Sequence, residues 1–186
     1  MRRLYIGLVH YPVYNKKMEK IASALTTMDV HDIARVGRTY GVKGFFVITP
    51  LDDQKALAEK VVTHWTRGHG SQYNKKRKEA IELVRVSSSL DSVISELGTE
   101  ENDLPILIAT DAAVQKDKML SYDKARQILD DERLVLLLFG TAWGLHETVI
   151  NEADYVLAPI EGKAGYNHLS VRGAAAIILD RLLGLD

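Results

Sequence analysis

The residues best suited to chemistry in this 186-residue chain gather at the ends of three apolar runs in its C-terminal half. "ILIATDA" ends at Thr110-Asp111, and "LLLFGTAWG" runs from Phe139 into Gly140, Thr141 and Gly144. "VLAPIEGKAGYNHLS" passes Ile160, Gly162 and Gly165 before reaching His168, Leu169 and Ser170. Glycine lets backbone amides come close to a ligand. One such turn is an ordinary link between strand and helix, but three in one region point to a shared binding site. His168 could contact a ligand or accept a proton, since an unperturbed imidazole titrates near ~6.5.

Two common nucleotide sites are excluded. A dinucleotide fold needs G-x-G-x-x-G after its first strand, whereas "LYIGLVH" is followed by "YPVYNKK" without glycine. "GTAWGLH" has neither the spacing nor the lysine of a phosphate-binding P-loop. There is no cysteine, so thiolate metal sites and disulfides are excluded, and the histidines lack metal-ligand spacing. No metal is expected.

The elements that position these turns follow from periodicity. "LYIGLVH" (4–10), "GFFVITP" (44–50), "IELVRVS" (81–87), "PILIATD" (105–111), "LVLLLFG" (134–140) and "YVLAPI" (155–160) read as six strands. Helical patterns lie near 17–24, 27–41, 52–66, 89–97, 121–131, 145–152 and 167–184. The alternation predicts an α/β fold with a mostly parallel sheet and helices on both faces. In such sheets, ligands bind beyond the carboxyl ends of the strands. A hydrophobic content of 46% suffices for one sizeable core, so residues 1–186 are expected to form a single domain. "GAAAII" (173–178) would let another helix approach closely.

A net charge of −1 gives no whole-molecule attraction to nucleic acid, so any basic surface must be local. One candidate exists. "TRGHGSQYNKKRKE" (66–79) reads as a mobile surface loop carrying Arg67, Tyr73, Lys75, Lys76, Arg77 and Lys78. It is either a solvated face or a patch that binds phosphate while the tyrosine stacks on a base. No apolar run approaches the ~20 residues of a membrane helix, and a soluble, cytoplasmic protein is expected.

Three blocks, in order, resemble the SPOUT superfamily of S-adenosylmethionine-dependent RNA methyltransferases. They are "HDIARVGRTYGVKGFFVITP" (31–50), "LLLFGTAWGLHETVINEADYVLAPI" (136–160) and "YNHLSVRGAAAII" (166–178). The resemblance is nearest to a branch of predicted RNA methyltransferases related to tRNA guanine methyltransferases. It implies a deep C-terminal trefoil knot, a homodimer, and tRNA or rRNA as substrate. It also implies a bent S-adenosylmethionine (product S-adenosylhomocysteine) held among segments 110–112, 139–144 and 160–170. Cofactor contacts would then fall to Thr110, Asp111, Phe139, Gly140, Thr141, Gly144, Ile160, Gly162, His168, Leu169 and Ser170. On this view Gly140 is required because a side chain would fill the cofactor's space.

Arg38 falls on the family's motif arginine, and Arg38 and Ser170 are the expected catalytic residues. A guanidinium can hold a phosphate bidentately, although a cation in the last turn of a helix also complements its dipole. Departures from the family pattern are Asp32 for an asparagine, Ala142 for an acid, and His168, Ser170 and Arg172 in the third block. They raise the alternative of a protein that keeps the cleft without catalysis. Asp32 reads as a surface ion pair with Arg35, and Asn167 as the cap of the final helix.

Overall fold

In a computed structural model that describes residues 2–185, the first strands are β1 (Arg3–Val9), β2 (Val13–Tyr14), β3 (Lys20–Ile21), β4 (Gly44–Ile48) and β5 (Val84–Ser87). They are followed by β6 (Ile106–Thr110), β7 (Met119–Leu120), β8 (Leu134–Gly140) and β9 (Tyr155–Leu157). Seven of them form one parallel sheet in the order β5-β4-β1-β8-β6-β9-β7. The predicted parallel α/β sheet is present, with seven strands in place of six. The added strand is β7, two residues long and too short to leave a periodic signal.

The centre of the sheet is the β1–β8 ladder, in register from Arg3 opposite Leu134 to Val9 opposite Gly140. Both strands are buried on both faces, which is why they read as continuous apolar runs. The helices are α1 (Thr27–Thr39), α2 (Asp52–Thr66), α3 (His69–Tyr73), α4 (Lys75–Ile81), α5 (Leu90–Glu101), α6 (Tyr122–Asp130), α7 (Glu147–Glu152) and α8 (Val171–Leu183). One face of the sheet is covered by apolar residues of α1, α2, α4, α6 and α8. The other is covered by α5, α7 and the β2–β3 hairpin.

Two expectations from periodicity are corrected. The helix expected over 17–24 is absent, and this stretch belongs to the β2–β3 hairpin. The Asn15 side chain accepts from the backbone N–H groups of Lys17 and Glu19, a local alternative that outcompetes the helix. The loop expected over 66–79 is largely helical. Gly70 is buried so closely on the Trp65 ring that a Cβ would lie 2.7 Å from it, and Asn74 caps α4 by accepting from the Arg77 N–H. Tertiary packing overrides the loop-like composition here.

The last third of the chain crosses the sheet twice. From β8 it passes along α7 to β9, which enters between β6 and β7. Lys118 fastens this crossing by donating to the carbonyls of Ile150, Asn151 and Ala153. The chain then returns on the opposite face as α8, with Ala175 and Leu179 fully buried. Tyr40, which ends α1, donates its hydroxyl to Asp180 on α8 at 2.8 Å. Among the described residues no helix is long and apolar enough to cross a membrane.

Candidate active site at the carboxyl ends of the central strands

The strands β6, β8 and β9 end together beneath a cleft of about 720 Å³. Its walls are segments 110–112, 139–144, 157–160 and 167–171, with Ser23, Ala24, Thr26 and Asp29 forming the side toward α1. The floor is apolar, with Phe139, Leu157 and Ile178 all buried. The rim is exposed and carries Trp143, His168 and Leu169. The volume lies within the roughly 300–1,000 Å³ typical of small-molecule sites.

The turn after β8 explains its two glycines. A Cβ on Gly140 would lie 2.7 Å from the Leu145 amide nitrogen and 3.1 Å from the Gly144 carbonyl carbon. The chain's own return is therefore enough to demand the glycine, which also lines the cleft. Gly144 has φ +102, and Ala142 also sits in the left-handed region at φ +52. The β2–β3 hairpin braces the loop, since Trp143 N–H donates to Tyr14 O and Tyr14 N–H donates to Gly144 O, both at 3.0 Å.

Behind this loop runs a partly buried hydrogen-bond relay. Thr141 donates its hydroxyl to Val9 O at 3.0 Å, so Ser23, 2.5 Å away, donates to Thr141 Oγ1. His10 Nδ1 lies 2.9 Å from Ser23 Oγ and completes the chain as a donor. That assignment puts the imidazole proton on Nδ1 and leaves Nε2 a buried lone pair without a partner. Burial pushes the His10 pKa down to about 4, against a smaller opposing pull from Asp29. The ring is thus neutral at physiological pH. Ser23 and Asp29 were invisible as site residues in the sequence, because no glycine or motif marks the segment before α1.

Arg172 at the start of α8 ties the cleft together. Its Nε lies 3.1 Å from Asp29 Oδ1, and its Nη1 donates to Asp32 Oδ2 at 3.1 Å. Asp29 also accepts from the Thr26 hydroxyl at 2.6 Å. The expected Asp32–Arg35 pair is corrected, because Asp32 turns to α8 instead. The final helix is capped by Ser170, which accepts from Gly173 N–H. Asn167, expected as that cap, instead donates to Ala112 O at 2.8 Å and joins two cleft walls.

Thr110, Asp111, Phe139, Gly140, Thr141, Gly144, Ile160, His168, Leu169 and Ser170 all line the cleft, whereas Gly162 does not. Asp111 accepts from Ala113 N–H and from the Gln115 side chain, which fixes the β6 turn. Arg38 is not brought to this cleft. It lies nine residues beyond Asp29 on α1, about 14 Å along the helix axis at 1.5 Å per residue, and pairs with Glu79 at 3.6 Å. Arg38 is thus not among the residues lining the cleft of its own chain.

Arg67, Tyr73, Lys75, Lys76, Arg77 and Lys78 also lie outside the cleft, on or beside α3 and α4. Arg77 stacks over the Trp65 ring at 4.6 Å, and Lys78 pairs with Glu82. Among the described residues no three His, Asp or Glu side chains cluster as metal ligands would.

A family profile described as SAM-dependent RNA methyltransferase matches residues 3–184, and the chain belongs to that family. It is 44% identical over 183 residues to a tRNA (guanine-N(1)-)-methyltransferase of Oleidesulfovibrio alaskensis, covering 98% of this chain and 42% of that protein. The chain thus spans about two fifths of the length of that curated relative. An uncharacterized protein of Aquifex aeolicus is 37% identical over 179 residues, covering 96% of this chain and 87% of that one. The solved SpoU methyltransferase AviRb from Streptomyces viridochromogenes, in complex with AdoMet, superimposes with a TM-score of 0.60 at 17% identity. That match covers 98% of this chain and 58% of AviRb, and at this identity it is a likeness of fold.

Two outcomes follow from this geometry. Gly140→Ala forces the Leu145 amide to move and costs roughly 1–3 kcal/mol, the scale of overpacking. Its melting temperature falls by several degrees even without ligand, as calorimetric melting will show. His10 is the second case. An unfolded imidazole takes a proton near ~6.5, ahead of the buried one, so stability is full above that pH and is lost as pH falls toward ~4. Urea unfolding at pH 7 and pH 5 should differ by about 2 kcal/mol through this residue, and His10→Asn, whose amide Nδ2 can donate in place of the imidazole Nδ1, should remove that difference.

Proposed function

We propose that residues 1–186 act as a single S-adenosylmethionine-dependent methyltransferase domain on tRNA or rRNA. The observation that carries this reading is the cleft itself, where three turns converge over an apolar floor at the ends of β6, β8 and β9. The fit to the cofactor is chemical. Phe139, Leu157 and Ile178 offer an apolar slot for a purine, and Asp111, Ser170 and the main chain of the three turns offer polar groups for ribose hydroxyls and the amino-acid end. When bound, the cofactor supplies an electrophilic methyl group on a sulfonium.

What remains for the protein is mainly alignment of acceptor with donor. Ser170 accepts from Gly173 N–H, so its own hydroxyl proton is free to donate into the cleft and orient a bound group. The tRNA named for the longer relative is the substrate class favoured for this chain, in the cytoplasm where tRNA is modified. Arg67, Tyr73 and the cations of α4 supply a local basic face for the RNA backbone. Arg38 lies on the side of α1 that meets α4, and would reach an acceptor nucleotide only at the cleft of a second copy.

A deep trefoil knot belongs to the same reading. Its support is the strand order, in which β9 lies between the earlier β6 and β7, and the Asn167–Ala112 bond between the two loops such a knot would entwine. A homodimer is the assembly implied for such a domain.

Titration calorimetry with S-adenosylmethionine and S-adenosylhomocysteine should show one site per chain and no response to NAD. Methyl transfer to unmodified tRNA and rRNA transcripts should follow. Cofactor binding without transfer to either RNA would identify a binding protein instead, and binding of NAD alone would overturn the reading. Light scattering at micromolar concentration should report twice the chain mass, and a clean monomer would remove the partner-cleft role of Arg38.

A further inference from the structure

We propose that the Trp143 indole is a stacking platform for a base of the RNA substrate at the mouth of the cleft. The inference rests on reading the cleft as the methyl-donor site. Trp143 lines the cleft yet is 60% exposed. Trp65, by contrast, is enclosed by His31, His64 and Arg77. Among the described residues no ring or cation stacks on Trp143.

This exposure does not come from a loose loop. The backbone at Trp143 is held by Tyr14 O, and the turn closes through a bond from Gly144 N–H to Thr141 O at 3.0 Å. The preceding Ala142 is kept at φ +52, a conformation that costs a side-chain-bearing residue of order 1–3 kcal/mol. A large flat apolar ring is therefore projected, by a strained and braced turn, onto the rim of a ligand cleft.

The cofactor's purine is not the ring's natural partner. The enclosed apolar floor of Phe139, Leu157 and Ile178 suits that group, and it lies below the rim. What arrives from solvent at the rim is the acceptor. Single-stranded RNA offers unstacked bases, and proteins hold such bases on aromatic faces. One base–aromatic stack is worth about 1–3 kcal/mol by alanine substitution, or roughly 5- to 150-fold in affinity. Trp143 thus sets RNA affinity, with little regard to which base it stacks on, and leaves the donor site untouched.

The test uses the full chain saturated with S-adenosylhomocysteine and titrated with a pool of unmodified tRNA and rRNA transcripts. Trp143→Ala should weaken RNA binding roughly 5- to 150-fold, with S-adenosylhomocysteine affinity within about twofold of wild type and solution mass unchanged. Trp143→Phe, which keeps a flat ring, should recover most of the RNA affinity. In a Trp65→Phe background, where Trp143 is the remaining emitter, tryptophan fluorescence should be quenched by RNA. Weakened S-adenosylhomocysteine binding in Trp143→Ala would place the ring on the cofactor and overturn the proposal. A changed mass would place it on a second copy and overturn it likewise. Unchanged RNA affinity with normal S-adenosylhomocysteine binding overturns this inference alone. A wild-type chain that binds no S-adenosylhomocysteine overturns the reading of the cleft and this inference with it.

Discussion

The close approach of the Gly140 α-carbon to the Leu145 amide is the constraint from which the rest of the site follows. Strand β8 is buried on both faces and cannot bend, so the chain must reverse within the five residues after it. Reversal carries Leu145 back into the core shared with α7 and leaves residues 141–144 standing above the strand ends. That standing loop needs outside support, and the β2–β3 hairpin and the Thr141–Ser23–His10 relay provide it. The wall of the cleft is thus built by residues more than a hundred positions apart. None of them contacts a ligand through a conspicuous motif.

A second set of contacts joins the far wall. Arg172 reaches from the first turn of α8 to two aspartates on α1, so the helix that closes the cleft is fixed to the helix that flanks it. Asp29 is the more screened of the two carboxylates, and Asp32 is the one that accepts a hydrogen bond from Arg172. One consequence is directional. Whatever binds against segment 167–171 acts on α1, and α1 packs on α4, which carries the basic face. The cleft and the proposed RNA surface therefore share one helix.

Much of this was legible in the sequence, and the failures have physical causes. The long apolar runs announced the central strands because burial on both faces removes every polar interruption. The glycine-bearing turns marked three walls of the cleft because a tight reversal leaves a local signature. The fourth wall left none. Ser23 and Asp29 are ordinary residues whose importance comes from partners at Thr141 and Arg172, and no local pattern encodes a pairing across 143 positions. Short elements failed for the related reason that two residues of β7 cannot show a period. At Gly140 a glycine forced by its own chain and one cleared for a ligand look alike in sequence, and the Leu145 contact is visible only in three dimensions.

The order of strands in the sheet has a bearing on synthesis. β1 pairs with β4 on one side early, but its other neighbour, β8, begins 125 positions after β1 ends (134 − 9). At about 5–20 residues per second of translation, that edge stays open for roughly 6–25 seconds. During this interval a largely apolar strand in the middle of the future core offers unpaired amides and carbonyls to any neighbouring nascent chain. The most buried ladder of the finished protein is thus the most adhesive surface of the unfinished one, and a ribosome-bound chaperone would find its best purchase on Leu4 to Val9.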